Sequence, residues 1–400
     1  MLSELLGSAL PVSDDPRERS RHAFGFVSGW LFSEPMRELL VEFGEHLPPS
    51  GSMPSPPPDD DWLHSGEALP AWIPDLLRGT AEDGRLTADQ VDVLRRTIAV
   101  EQIAAEHFDF RGRGATGYRE RHQAVAADFS DDRRERIFRL AAQLGLVNEA
   151  APRYPEYDET LILGGGYSSP QLRAKYASQI GRNYELGRLY FLGSPRFLIA
   201  EPPEAPAVEY YARGASDEFD LMIGAAEREF SLISAAPILV CGCVATDVLC
   251  EEWREAFGEP GETPLAYTHE RVADLRDGGG PRGQVLSAHT SRPPFRPDTS
   301  DTFALWARVS EPQLGQRALI VTTQVFVPFQ AFDGVRRLYL AHGLDVDAVG
   351  FGAGWGDRPL TAEYLLQETL SAMRSARRLL VDAAEVLLDV PVTDPPMEMS

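Results

Sequence analysis

The chain has 400 residues, 43% hydrophobic and 25% charged. These are ordinary globular values, and the length exceeds what one core usually fills, so two lobes are expected. A formal net charge of −23 without a basic run argues against nucleic acid, whose binding depends on Lys and Arg neutralising phosphates, and against an anionic membrane surface.

A small anionic ligand stays open, because a local cluster of Arg and backbone N–H groups outweighs distant, salt-screened charge. Lys175 is the single lysine and every other basic residue is arginine, a bias that fits a GC-rich genome. Three cysteines make no disulfide framework. Met1 to Asp15 shows no basic n-region of a signal peptide, and no run approaches the ~20 apolar residues of a membrane span. The expected location is cytoplasmic.

Residues 1–150 read as a helical lobe. Arg17 to Phe32 carries Phe24, Phe26, Val27, Trp30 and Leu31 at helical spacing, and Pro35 to Phe43 is a second segment. Residues 48–61, rich in Pro, Ser and Asp, read as a flexible loop. Helical pattern resumes over Thr87 to Phe108, with Thr87 as N-cap and Gln90 at N3, and over Asp131 to Leu144. Glu106 and His107 are of metal-ligand type, but adjacent helical residues point apart, and both read as structural.

The pattern changes near residue 158. Short apolar runs end in small or polar residues: Glu159 to Leu163 before Gly164-Gly165-Gly166, Arg188 to Leu192 before Gly193-Ser194-Pro195-Arg196, and Pro237 to Cys241 before Gly242. The series continues with Gln284 to Ala288, Ala318 to Val321 before Thr322-Thr323, and Val346 to Phe351 before Gly352. Helical segments separate several of them. Strands alternating with helices imply a parallel sheet. The expected fold is α/β: a Rossmann-like, mostly parallel sheet with helices on both faces over 151–390, an N-terminal all-helical lobe, and a disordered tail at 391–400. The last helix, Thr361 to Leu388, is amphipathic and either closes the sheet or joins the N-terminal lobe.

Candidate site residues gather at the strand ends. Gly164, Gly165 and Gly166 allow a ligand close to the backbone, and Ser168-Ser169-Pro170 supplies an N-cap candidate with Pro at the first helical position. A helix N-terminus with free N–H groups suits a phosphate, a carboxylate or part of a nucleotide; the alternative is a tight turn. Arg173 and Lys175 on the following helix either reach back over the loop or are surface charges. Arg196 offers a bidentate contact to an anion or is a surface arginine. Asp298-Thr299-Ser300-Asp301-Thr302 either caps a helix or faces the site, with Asp298 and Asp301 as acid–base candidates. Thr322 and Thr323 end a central strand where open α/β sheets bind ligands. The loop Gly350 to Asp357 reads as a lid or as a connection plugged by Trp355. Cys241, Cys243 and Cys250, with distant His269, lack a well-placed fourth ligand for zinc, so no metal is expected.

The order of these segments resembles the DUF218 family, which includes YdcF-like, SanA-like and ElyC-like proteins. The resemblance covers 158–352 and rests on Leu161 to Gly166 with Arg173, on Tyr190 to Ser194, on Asp298-Thr299-x-Asp301-Thr302, and on Ile320 to Thr323. It implies a Rossmann-like fold, S-adenosylmethionine binding as in one branch of the family, and site residues Gly164, Gly165, Gly166, Arg173, Asp298, Thr299, Asp301 and Thr323. Relatives often carry a His and an Arg after the fourth motif; Val325 to Gln330 has neither. Two functions follow as expectations. One is an enzyme, transferase or hydrolase, acting on a nucleotide-like or phosphorylated small molecule; the other is a non-catalytic metabolite sensor.

Overall fold

The computed structural model describes residues 9–51, 70, 72–77, 85–110, 113–114, 117–118, 126–166, 168–196, 198, 204–241, 269–289, 297–355 and 359–390. In chain order these form α1 (Pro16–Leu31), α2 (Glu34–Val41), α3 (Trp72–Leu77), α4 (Ala88–Phe108), β1 (Arg113–Gly114), β2 (Gly117–Tyr118), α5 (Asp131–Gln143), β3 (Glu159–Leu163), α6 (Ser169–Ile180), β4 (Arg188–Gly193), α7 (Glu204–Tyr211) and α8 (Glu218–Phe230). There follow β5 (Ile233–Ser234), β6 (Ile238–Cys241), β7 (His269–Asp277), β8 (Gly280–Ser287), α9 (Thr299–Ser310), β9 (Arg317–Thr323), α10 (Val327–Gly334), β10 (Asp345–Phe351) and α11 (Ala362–Leu388). No helix among the described residues is long and apolar enough to cross a membrane.

The chain divides into two compact units, one of 1–149, 324–336 and 357–400, the other of 150–323 and 337–356. This corrects the expectation of a contiguous α/β domain over 151–390: the chain returns to the helical unit twice. The reason lies in α11, which buries Leu365, Leu366, Leu370, Met373, Leu379 and Leu380 by packing with α1, α4, α5 and α10. The unit is also not purely helical, since β1 and β2 pair as a two-residue hairpin. The tail 391–400 and residues 52–61 of the Pro-rich loop lie outside the described residues.

Local sequence sets the helix starts of this unit. Asp15 caps α1, with Pro16 opening the helix. Thr87 and Gln90 form the reciprocal capping box expected of them, which satisfies two otherwise orphaned backbone donors. Trp30 and Phe332 meet edge to face, 5.4 Å between centroids. Glu101 and Arg377 form a buried ion pair at 2.7 Å.

The second unit is built on an eight-stranded sheet of order β10-β9-β3-β4-β8-β7-β5, with β6 pairing β7. β10, β9, β3, β4 and β8 run parallel, whereas β5 and β6 pair antiparallel with β7, and β7 pairs antiparallel with β8. The sheet is Rossmann-like. The chain leaves β3 for β4 and β8, then returns to place β9 on the other side of β3. That reversal is the topological switch point, outside which open α/β sheets bind ligands. Leu319, Val321, Phe191 and Val285 face the cluster with α6 and α8. Ile320, Leu161, Tyr190 and Leu286 face α9 on the opposite side. The run 237–241, expected among the parallel strands, is an antiparallel edge member.

At the start of β3, Glu159 is buried beside Tyr190 and Trp306, and burial pushes its carboxyl up to about 7. The folded state therefore holds this proton after the unfolded chain has released it. Stability falls as pH rises from the ordinary carboxylate range to about 7, then no further, a loss on the order of 3 kcal/mol. Glu159→Gln is expected to gain stability over the wild type across that window and to keep the gain at pH 8, as urea titrations from pH 4 to pH 8 will measure.

Candidate functional site at the carboxyl edge of the sheet

The end of β9 and the residues after β3 and β4 lie at the same edge of the sheet, around the switch point. Arg173, on α6, is buried and reaches back to the end of β3. Its Nη1 donates to the carbonyls of Leu163, at 3.0 Å, and Gly164. Its Nε and Nη2 lie 3.4 and 3.3 Å from Thr323 Oγ1 at the end of β9. Arg173 thus ties the two strands that flank the switch, and it occupies Thr323.

The three glycines differ in use. A Cβ on Gly164 would collide with the Glu218 carboxylate and lie 2.7 Å from the Leu192 carbonyl. A Cβ on Gly165 would lie 2.9 Å from Ser169 Cβ and 3.2 Å from the Arg173 guanidinium. At these two positions the space beside the backbone is taken by the protein itself, as the tight-turn alternative has it. Gly166 instead has Arg196 Nη1 3.3 Å from where its Cβ would stand. The amides of Gly165 and Gly166 donate to no acceptor among the described residues.

Ser168 occupies the N-cap position of α6 but makes no side-chain cap, and Pro170 is the second helical residue. Its hydroxyl is therefore not spent on the helix. Lys175 is exposed, with its ammonium 5.8 Å from the Trp355 ring centroid, so of its two readings the surface charge is the one that fits, directed to Trp355. Trp355 meets Tyr176 edge to face at 5.3 Å and packs on the sheet core, as the plug reading requires.

The β4 end supplies the other wall. Ser194 Oγ donates to Glu218 Oε2 at 2.5 Å, and the Glu218 amide donates to the Arg196 carbonyl at 3.0 Å. The preceding Asp217 is fully buried, caps α8 and pairs with Arg271. Burial outweighs that partner and pushes its carboxyl up to about 6. Ser287, opposite Gly193 on β8, and Thr322 on β9 both have buried hydroxyls without a partner among the described residues.

Asp298 and Asp301 form a reciprocal capping box. Asp298 accepts from the amides of Ser300 and Asp301 at 2.8 and 3.3 Å, and Asp301 accepts from the Asp298 amide at 2.9 Å. Thr299 is the first residue of α9. The carboxylates expected to exchange protons with a ligand are spent on starting this helix.

Sequence reasoning passed over Glu218, Ser194 as its partner, and His289. His289 follows β8, and its Nδ1 lies 2.6 Å from Glu270 Oε1; Arg308 reaches both oxygens of Glu270 at 2.5 Å. The signal for His289 was its place just past a recognisable strand. Glu270 lies on β7, a strand whose alternating charges hid it. No group of three or more His, Cys, Asp or Glu suited to a metal occurs among the described residues. Cys243 and Cys250 lie outside them, and of Cys241 and His269 only the backbone is described.

Over 277 residues the chain is 32% identical to Uncharacterized protein Rv3785 of Mycobacterium tuberculosis (strain ATCC 25618 / H37Rv), covering 67% of this chain and 71% of that one. It matches Uncharacterized protein Mb3814 of Mycobacterium bovis to the same extent. The chain belongs to the family of these mycobacterial proteins. No family model and no solved structure matches it.

The cap makes its own prediction. Asp298→Ala is expected to cost about 1 kcal/mol, and adding Asp301→Ala is expected to cost less than Asp301→Ala alone, because both serve one helix start. Urea titration of the two single variants and the double variant measures this coupling.

Proposed function

We propose that this protein binds a small phosphorylated or nucleotide-like molecule at the carboxyl edge of its sheet and acts on it as a transferase or hydrolase. The observation that carries the reading is the corner at Gly166. Arg196 lies over it, two loop amides there have no acceptor among the described residues, and it sits beside the switch point where such sheets take ligands. Backbone N–H groups and a guanidinium together suit a phosphate. Ser168 offers a hydroxyl at the start of the helix that follows this loop.

S-adenosylmethionine is the cofactor to try first, on the DUF218 resemblance. The donor set fits part of it: Ser194 and the Glu218 carboxylate are of the type that holds ribose hydroxyls or an ammonium group. Bound there, it would supply a transferable methyl group, while Arg196 and Glu218 bind and orient. The acid–base role expected of Asp298 and Asp301 is not carried into this reading, since both carboxylates cap α9. That same engagement favours a second reading, a non-catalytic metabolite sensor. A cytoplasmic location belongs to the proposal and is supported by the sparse cysteines.

Calorimetric titration of the full chain with adenosine monophosphate and with S-adenosylmethionine tests the site. Binding is expected, and Arg196→Ala is expected to weaken the phosphate-bearing ligand about tenfold, the loss of one charge-assisted contact. No binding of either at millimolar concentration contradicts the proposal. Mass spectrometry of the ligand after incubation then separates the readings: conversion supports the enzyme, and recovery of unchanged ligand supports the sensor.

A further inference from the structure

His289 stands one strand over from the Gly166–Arg196 corner. β4 and β8 pair with Gly193 opposite Ser287. The pairing ends there, so the segments that carry Arg196 and His289 leave adjacent strands at the same edge of the sheet. Its ring is held by Glu270 on β7, which takes Nδ1 at 2.6 Å, and Arg308 on α9 fixes both carboxylate oxygens of Glu270. An imidazole held through Nδ1 directs Nε2 away from its partner. Among the described residues Nε2 has no partner, and the side chain is 38% exposed. A buried carboxylate that orients a half-exposed imidazole fixes its tautomer when neutral and stabilises the imidazolium when charged.

We propose that His289 is the proton-dependent anion contact of this site, its imidazolium donating Nε2–H to a phosphate-monoester oxygen held by Arg196 and the Gly166 loop. This rests on the anion-binding reading above. The charged groups that bear on the ring are Glu270 on β7 and Arg308 and Asp301 on α9. The hydrogen bond and charge of Glu270 outweigh burial and Arg308 and raise the imidazole above its ordinary range, while Glu270 itself is held below the usual carboxylate range despite burial, through bonds from His289 and Arg308. The ring is therefore more often charged near neutral pH than a free histidine, and the site prefers phosphate esters where that charge is present.

The test compares the full-length wild type with His289→Gln, titrated calorimetrically with adenosine monophosphate at pH 6 and pH 9. Comparing the two proteins at each pH cancels the ionisation of the ligand. The wild type is expected to bind about tenfold more tightly than the variant at pH 6, as for one charge-assisted hydrogen bond, and the gap is expected to close at pH 9. In ring-labelled protein, the His289 Nε2 resonance is expected to shift on saturation at pH 6. A gap of equal size at both pH values, or no gap and an unmoved resonance, overturns the proposal for His289 while leaving the anion site standing. A wild type that binds no adenosine monophosphate at either pH overturns both.

Discussion

Where β3 and β9 part company, the protein buries a single guanidinium. Arg173 enters from α6 and donates to two carbonyls at the end of β3 and to the hydroxyl at the end of β9. A buried cation is tolerated only when its donors are met, so the conformation of the loop after β3 is set by the need to turn the Leu163 and Gly164 carbonyls toward it. With those carbonyls turned inward, glycine is required at 164 and 165, where side chains of the protein fill the space. The loop then emerges at Gly166, against Arg196, with the Gly165 and Gly166 amides without an acceptor among the described residues. The corner proposed to take a ligand follows from a structural arginine.

The same economy governs the acidic residues. The chain is strongly negative as a whole, yet around this edge carboxylates are consumed locally. Glu218 takes Ser194, Asp217 takes Arg271, Glu270 takes Arg308 and His289, and Asp298 and Asp301 take backbone amides. Each acid is turned to holding a helix start or a neighbouring side chain. Among the described residues, what has no acceptor at the corner is donor in character: the amides of Gly165 and Gly166, with the Arg196 guanidinium beside them. On the proposed reading, a globally acidic protein would present a local anion site, as a short-range, salt-screened field allows.

Much of the architecture was legible in the sequence because its signals are local. Four of the five parallel strands were marked by apolar runs ending in Gly or Thr, and the capping box at Thr87 and Gln90 was written in two residues three apart. The β7–β8 hairpin was less legible, since β7 is mostly charged and carries no apolar run of the kind that marks the parallel strands. The return of α11 to the helical unit was left open, because an amphipathic face states that it is buried but not against what. At the site, Gly166 and Arg196 were named from sequence and the structure brings them together. Thr323 and Arg173 were named too, but they bond to each other. Lys175 was directed elsewhere by an aromatic ring in a later loop, and Glu218 and Glu270 escaped notice because their roles depend on which strands lie side by side.

The central claim is that an anion binds on the loop after β3, at the switch point. The most direct measurement is amide NMR on glycine-labelled protein titrated with adenosine monophosphate. The account predicts that the Gly165 and Gly166 amide resonances move progressively and saturate, while those of Gly44 and Gly214, in turns outside this loop, stay in place. If Gly165 and Gly166 do not move at saturating ligand, or all glycines move alike, the loop is a turn and the claim is contradicted.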